Sequence, residues 1–168
     1  MLFYGALWSL YNRVLWRHTV LGIPLSQVAD LGGTWFATLQ SSHNGGAQSN
    51  GCVRIHQTWS KMLIEFEGAT SRSVSRMAAL NTEPGANQGL IYEYANDPQF
   101  AATDSMHAHR GVSVLRISAD GQSLKGEYFT GRDRQTHGAI KLERISRQHL
   151  DLSQATTICE EEKKRHER

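Results

Sequence analysis

The sequence is poor in cysteine and proline and carries little excess charge. Its 168 residues include 2 Cys and 3 Pro, and 18 Lys and Arg against 16 Asp and Glu leave a formal net charge of +2. Cys52 and Cys159 alone cannot build a disulfide framework or a Cys-rich zinc site. A protein that coats a nucleic-acid duplex needs a denser basic face. We therefore expect one domain in a reducing, cytosol-facing environment, with no DNA or RNA duplex as partner.

Common catalytic signatures are also missing. The sequence has no GxSxG elbow, no Walker A loop, no HExxH motif and no CxxC motif. His107 and His109 are two residues apart, but no third ligand is well spaced, and this pattern is more typical of a loop than of a metal site. We expect no metal, no cofactor and no enzymatic activity.

A hydrophobic run long enough to span a bilayer is absent, although the amino terminus is strongly apolar. Residues 1–12 carry no charge, and a span needs about 20 apolar residues. Helical spacing predicts an amphipathic helix that ends by Gly22 and Pro24. Its apolar face contains Phe3, Leu7, Leu10, Tyr11, Val14 and Leu15, and its polar face contains Ser9, Asn12, Arg13 and Arg17.

Two interpretations of this helix stay open. In one, it packs against or plugs the following domain. In the other, it is a membrane-proximal helix with Tyr4, Trp8, Tyr11 and Trp16 at the interface and Arg13 and Arg17 on the cytoplasmic side. The second interpretation would place a membrane span ahead of this chain. In either case, the apolar face should be covered by the domain, by another subunit or by a membrane.

From Leu31 onward, the hydrophobic period changes to two, which predicts β-strands. We expect about eight strands, with turns at sites such as Asp97-Pro98 and Asp120-Gly121. The predicted strands are Gly33–Ser41, Cys52–Trp59, Lys61–Glu67, Ser71–Leu80, Gly89–Tyr94, Arg110–Ser118, Leu124–Thr130 and Gly138–Ile145. No crossover helix fits between them, so the fold class is mainly β, an antiparallel up-and-down barrel with an N-terminal helix. A two-sheet sandwich is the alternative.

The alternation also predicts which side chains face the interior. Met62, Ile64 and Phe66 point to one side of their strand, and Glu65 and Glu67 point to the other. The same phase turns these residues inward: Trp35, Gln57, Trp59, Ser71, Ser73, Ser75, Tyr92, Tyr94, Gly111, Tyr128 and Thr130. Buried hydroxyls without partners cost about 1 to 3 kcal/mol each. A lining this polar implies an internal hydrogen-bond network, water or a ligand.

The residue types predicted inside the barrel and near its mouth are those that commonly bind nucleotides. Aromatic rings stack on bases, hydroxyls and guanidinium groups bind phosphates, and amides contact base edges. The stacking candidates are Trp59, Tyr92, Tyr94 and Tyr128. The phosphate-binding candidates are Ser71, Ser73, Thr130, Arg132 and Arg134, and the base-edge candidates are Gln57 and His109. Arg132 has an alternative role in a solvated turn, paired with Asp133.

The order of short motifs resembles one known family. These motifs are Leu31-Gly32-Gly33-Thr34-Trp35, Gln57-Thr58-Trp59, Ser71-Arg72-Ser73-Val74-Ser75, Leu90-Ile91-Tyr92-Glu93-Tyr94, His109-Arg110-Gly111, and Gly126-Glu127-Tyr128-Phe129-Thr130-Gly131-Arg132 with Gly138. In this order, over roughly residues 28–145, they resemble the bacterial CBASS antiphage effectors that carry two membrane helices before a β-barrel.

The resemblance implies a function. In that family the barrel senses a cyclic oligonucleotide made by a partner nucleotidyltransferase, after which the protein self-associates and disrupts the inner membrane. It implies an N-terminal juxtamembrane helix and linker over residues 1–27, a cyclic-dinucleotide-sensing barrel over 28–150 and a charged tail over 151–168. The barrel would lie in the cytoplasm and the N-terminal segment at the bacterial inner membrane. The chain lacks the family's complete pair of membrane helices, so it is interpreted as a soluble truncation or a shortened relative.

Two other functions remain as alternatives. A lipocalin-like carrier of an apolar molecule should have an aliphatic lumen and a signal peptide, and the sequence predicts neither. A barrel-fold cyclase or isomerase would use Tyr and His as acid and base.

Overall fold

The eight long strands form a closed antiparallel barrel in the computed structural model. The structure describes residues 2–42, 46, 48–82, 88–98, 108–131 and 135–166. The barrel strands are β3 (Gly33–Ser41), β4 (Gln48–Gln57), β5 (Met62–Gly68), β6 (Ser71–Asn81), β7 (Gly89–Pro98), β8 (His109–Ile117), β9 (Ser123–Thr130) and β10 (His137–Ser146). Each strand pairs with its neighbours in sequence, and β10 closes the barrel on β3. The predicted barrel is confirmed, and closure excludes the sandwich.

The interior of the barrel is divided along its axis. At one end, where β3 begins and β4 ends, the buried side chains are large and apolar. They include Trp35, Ile55, Ile64, Leu90, Leu115, Leu124 and Leu142. Toward the opposite end the buried residues become polar, among them Ser73, Asn96 and Ser113. Burial of apolar side chains at the apolar end stabilises the fold. The interior of the polar end is not filled by apolar side chains.

Trp35 organises the apolar end. It is fully buried on β3, and its indole Nε1 donates a hydrogen bond to the Leu31 carbonyl oxygen at 2.9 Å. The guanidinium of Arg144 on β10 lies 4.5 Å from the centre of the Trp35 ring. Arg144 also donates through Nη2 to the carbonyl oxygens of Asp30 and Gly121. This cation–π stack, with its hydrogen bonds, closes the barrel at this end.

The N-terminal helix α1 (Leu2–Arg13) packs beside the apolar end. Trp8 and Tyr11 each contact the ring of Trp59 edge-on at 5.6 Å between centroids. The Asn12 side chain accepts hydrogen bonds from the backbone and hydroxyl of Ser60. The predicted docking of the helix at one end of the barrel is therefore confirmed.

The helix is shorter than predicted, and the barrel covers little of its apolar face. The helix ends at Arg13 and is followed by a 3-10 turn, Leu15–Arg17, instead of continuing to Gly22. Arg17 stabilises this early end because its Nη1 donates to the Arg13 carbonyl oxygen at 2.6 Å. Of the predicted apolar face, Tyr11 contacts the barrel, whereas Phe3, Leu7, Leu10 and Val14 are exposed. Contact with the barrel uses Trp8, Tyr11 and Asn12.

A two-stranded hairpin and a short connecting segment, residues 25–32 (the strap), join α1 to the barrel. The hairpin consists of β1 (Thr19–Val20) and β2 (Ile23–Pro24). Beyond it, Gln57 holds the strap: its Oε1 accepts from the Leu31 backbone at 2.7 Å, and its Nε2 donates to the Ala29 carbonyl oxygen. The buried amide of Gln57 therefore fixes the chain across the apolar end of the barrel.

The carboxyl-terminal segment crosses the outer wall and then forms α2 (Leu152–His166). The Thr34 hydroxyl donates to the Gln148 carbonyl oxygen at 2.6 Å and accepts from the Leu150 backbone. Burial raises the pKa of the nearby Cys52 thiol to about 11. The segment predicted as a charged tail therefore contains a helix and is tied to β3. Among the described residues, no helix is both long and apolar enough to cross a bilayer.

Candidate functional site

A cavity of about 520 Å³ occupies the polar end of the barrel, opposite α1. This volume is typical of small-molecule sites. The cavity lies where β3, β5, β7 and β9 end, and its wall combines aromatic rings, hydroxyls and amides. The described lining residues are Leu39, Ser41, Ser49, Asn50, Phe66, Gly68, Ala69, Thr70, Ser71, Ser73, Tyr92, Tyr94, Asn96, His109, Ser113, Tyr128, Thr130, Thr136 and Ile140.

Strand register places the polar residues in a row near the mouth. Ser73 of β6 is paired with Asn96 of β7, and Asn96 is paired with His109 of β8. Residues paired across a sheet project to the same face. A hydroxyl, an amide and an imidazole therefore point into the cavity from three adjacent strands, at a spacing that one ligand can contact.

A second row, deeper in the barrel, is aromatic. Tyr92 pairs with Ser113, and Ser113 pairs with Tyr128 on β9. All three are buried. Burial raises the pKa of the Tyr92 hydroxyl, and its hydrogen bond with the Ser113 side chain opposes that rise. Tyr92 is thus a neutral phenol at physiological pH, held by a neighbour on the next strand.

Glycines on the neighbouring strands hold two of the tyrosines close to the wall. Tyr94 is directly opposite Gly111, and Tyr128 is directly opposite Gly138. A Cβ at either glycine would overlap the facing tyrosine ring. Each ring therefore packs against a bare Cα position, which no other residue type provides. This arrangement keeps the aromatic groups at the perimeter and leaves the centre of the cavity open.

The connection between β9 and β10 is fixed where it leaves the cavity. The Thr130 hydroxyl accepts from the Thr136 backbone at 2.8 Å, and the Thr130 backbone donates to the Thr136 carbonyl oxygen. The Gly131 backbone donates to the Arg110 carbonyl oxygen. These bonds place both ends of the connection at the rim. The predicted phosphate ligands Arg132 and Arg134 lie within it, outside the described residues.

Most predicted site residues come together at this cavity. Those that line it are Ser71, Ser73, Tyr92, Tyr94, His109, Tyr128 and Thr130. Trp59 does not. It follows the end of β4, at the opposite end of the barrel, and its Nε1 donates to the Ser26 hydroxyl at 3.2 Å. The inward phase assigned to Trp59 fails because β4 ends at Gln57, and a residue beyond the strand no longer follows its alternation. Gln57 is buried as predicted, but its amide is used by the strap.

Several polar residues of the cavity lining were not predicted from the sequence. Asn96 was missed because the Asp97-Pro98 pair predicted a turn after Tyr94, whereas β7 continues to Pro98. Ser113 lies two residues after Gly111 on β8 and shares its inward face, but it was not assigned to the site. Asn50 was missed because this strand was predicted to begin at Cys52, whereas β4 begins at Gln48. Extending the alternation beyond the predicted strand ends would have found Ser49 and Asn96, but not Asn50, which is out of phase with the inward residues of β4.

The described lining contains no Asp, Glu, Lys or Arg. A carboxylate would repel an anionic ligand, and none lines the described wall. Hydroxyls and amides can donate hydrogen bonds to phosphate oxygens without a net charge of their own. Within the described residues, no group of three or more His, Cys, Asp or Glu side chains is placed to hold a metal ion. His107, one of the paired histidines, lies outside that part of the chain.

An edge-free antiparallel barrel with a polar, aromatic cavity at one end is the architecture of a small-molecule receptor domain. Comparison with known proteins narrows this class. The family model for the Cap15 cyclic dinucleotide receptor domain matches residues 26–144. CD-NTase-associated protein 15 of Yersinia aleksiciae is 32% identical over 142 residues, which cover 84% of this chain and 67% of the relative. The chain belongs to the Cap15 family of CBASS effectors, as its motif order indicated.

Proposed function

We propose that the barrel binds a cyclic dinucleotide in the cavity at its polar end and acts as a receptor, with no catalytic step. The observation that carries this proposal is the cavity itself: its aromatic and hydroxyl lining lies within the residues that match the receptor domain model. A cyclic dinucleotide has two flat bases and two phosphodiesters. The cavity offers groups suited to both.

The lining supports a division of roles. Tyr92, Tyr94 and Tyr128 are placed to stack on bases, because their rings border the open centre of the cavity. Ser71 and Ser73 have hydroxyls at the mouth that can donate to phosphate oxygens. The Thr130 hydroxyl donates to the Thr136 carbonyl oxygen at 3.0 Å, so it would bind a phosphate by exchanging that bond. His109 and Asn96, paired across β7 and β8, are placed to contact the edge of a base.

Replacing Tyr94 by Leu should weaken cyclic dinucleotide binding by about 1 to 3 kcal/mol, the usual contribution of aromatic stacking per base. Tyr92→Leu should do the same, but it also removes the hydrogen bond to Ser113. Leu keeps most of the apolar bulk, so the melting temperature should change less than affinity. Tyr94→Phe is the matched control, because it retains the ring. Titration calorimetry on the three variants tests the role, and equal binding by Tyr94→Leu and wild type would make these tyrosines structural.

Arg132→Ala should weaken binding by about 1.5 to 3 kcal/mol, the range for a charged hydrogen-bonded partner. The support is its position in the chain: the connection that contains it has both ends hydrogen-bonded at the cavity rim. Affinity should be measured at fixed salt, with Lys141→Ala on the outer wall as a control for lost positive charge. An unchanged dissociation constant for Arg132→Ala would return this residue to a solvated turn.

The central experiment is calorimetry of the purified chain against a panel of cyclic dinucleotides that differ in base and linkage. We expect saturable binding of at least one member, and recovery of that ligand unchanged after incubation. Binding of a fatty acid or retinoid instead would favour the carrier. Conversion of the bound nucleotide would favour the enzyme. Failure to bind any cyclic dinucleotide would overturn the receptor proposal.

We further propose that ligand binding promotes self-association and disruption of the bacterial inner membrane. The outer face of β6 to β9 supports this, since its exposed apolar residues include Val74, Met77, Ile91, Val112, Val114 and Phe129. On β7, β8 and β9 these residues alternate with Tyr92, Ser113 and Tyr128 of the cavity. A ligand that alters these strands from inside could therefore change the apolar surface outside, provided it binds the assembling state more tightly. Light scattering and vesicle leakage, each with and without ligand, test assembly and membrane disruption.

A further inference from the structure

The β1–β2 hairpin next to α1 has an unusual tip. Its two central residues are Leu21, with φ of 51°, and Gly22, with φ of 81°. Tight turns of this kind favour Asn or Asp followed by Gly, because a left-handed backbone is costly for a large side chain. A leucine in this position is therefore conformationally unfavourable, and the local sequence does not relieve it.

The same leucine is also almost completely exposed. Leu21 is 97% exposed and Ile23 is 69% exposed, and Val20 is exposed beside them. In water, the tip thus combines backbone strain with an unburied apolar group. Strain that persists at one position commonly marks a functional contact. Within the described part of the chain, no residue buries this tip, so it is available to contact an apolar surrounding.

The residues near the hairpin indicate which surrounding fits. His18 is exposed at the base of the hairpin, Arg13 is exposed at the end of α1, and residues 2–29 contain no Asp or Glu. The Tyr11 hydroxyl donates to the Leu25 carbonyl oxygen at 3.0 Å, which ties the hairpin to α1 and its aromatic cluster with Trp8 and Trp59. Basic and aromatic residues around an apolar tip match the headgroup region of an anionic bilayer.

The shape of the tip favours a bilayer over a protein partner. A stable protein interface buries about 800 Å² on each partner, and a two-residue turn is too small and too convex to supply it. A bilayer accepts a convex apolar wedge without a complementary groove. We propose that Leu21 inserts into an anionic lipid surface as a contact separate from α1, an inference that rests on the membrane partnership proposed above.

The main test is vesicle flotation of the full chain with phosphatidylglycerol–phosphatidylethanolamine vesicles and with neutral phosphatidylcholine vesicles. Wild type should prefer the anionic vesicles, and Leu21→Asn should lower the partition coefficient roughly tenfold. Asn tolerates the left-handed backbone, so this variant should melt at the same temperature as wild type or higher. Leu63→Gln, which removes an exposed apolar side chain from the outer wall of β5, outside the proposed self-association face, is the matched control and should bind as wild type does.

A second measurement shows directly how deeply position 21 inserts into the bilayer. Leu21→Cys in a Cys159→Ser background is labelled with an environment-sensitive fluorophore, while the buried Cys52 thiol, with its raised pKa, stays unlabelled. Brominated acyl chains should quench this label but not the same label at Lys125→Cys, an exposed polar position on β9. If wild type floats while the label at 21 stays in water, the hairpin inference is wrong and the membrane proposal stands. If wild type does not float with the vesicles, both the hairpin inference and the membrane proposal are wrong. A change in oligomeric state of Leu21→Asn without lipid would assign the tip to a protein contact and overturn the inference.

Discussion

Replacing Ser73 by Phe should abolish cyclic dinucleotide binding, with a loss of roughly a hundredfold or more, because the added ring occupies space that the ligand needs. Ser73 lies on β6 between Phe66 and Asn96 on the neighbouring strands, and all three line the cavity. The new ring has open space to enter, so the fold should tolerate it. The melting temperature should stay within a few degrees of wild type.

The matched control for this substitution is Val74→Phe. Val74 is the next residue along the same strand, and its side chain faces the outer wall. The Val74→Phe substitution adds a comparable ring to β6 outside the cavity, so the ligand affinity of this variant should be near that of wild type. Calorimetry with the preferred ligand measures both. Retained binding by Ser73→Phe would place the ligand elsewhere on the barrel.

Trp35→Ala should lower the free energy of unfolding by about 3 to 5 kcal/mol, the usual cost of removing a buried tryptophan. The change removes the ring, its hydrogen bond to Leu31 and the surface on which Arg144 stacks. For a chain of this length, the melting temperature should fall by about 10 °C. Urea unfolding followed by circular dichroism measures the effect.

Trp35→Phe separates the contributions at this position. It keeps an aromatic ring under Arg144 but loses the indole donor, so it should destabilise the protein less than Trp35→Ala. Ligand affinity of either variant, measured well below its melting temperature, should be near wild type because Trp35 does not line the cavity. A large loss of affinity in the folded Trp35→Phe variant would contradict this separation of core and site.

The sequence was sufficient to predict the barrel because its strands are regular. Eight runs alternate between apolar and polar side chains, and no run between them suits a crossover helix. The predicted start and end of the first strand, Gly33–Ser41, match β3. Errors occur at strand ends, as at Asp97-Pro98, where turn-forming residues are accommodated in the last positions of β7. A proline is tolerated there because a terminal residue need not donate to the sheet.

Features that depend on tertiary contacts could not be predicted. The β1–β2 hairpin lacks the Asn-Gly or Asp-Gly turn that normally signals such a structure. The carboxyl-terminal helix has no strong apolar face, and its attachment depends on Thr34, more than a hundred residues earlier. Trp59 was assigned to the site because stacking chemistry alone does not say at which end of a barrel a residue lies. The cavity residues were found where strand phase and ligand chemistry agreed.

Closure of β10 on β3 has a consequence for how this receptor can assemble. An open sheet exposes unpaired backbone groups that recruit further strands, and such growth leads to amyloid-like aggregates. A closed barrel offers no such template, so copies that meet through their barrels join through side chains. Assemblies of that kind have defined geometry and can dissociate. The ligand-dependent self-association proposed above would therefore use side-chain contacts and not the strand addition that leads to irreversible aggregation.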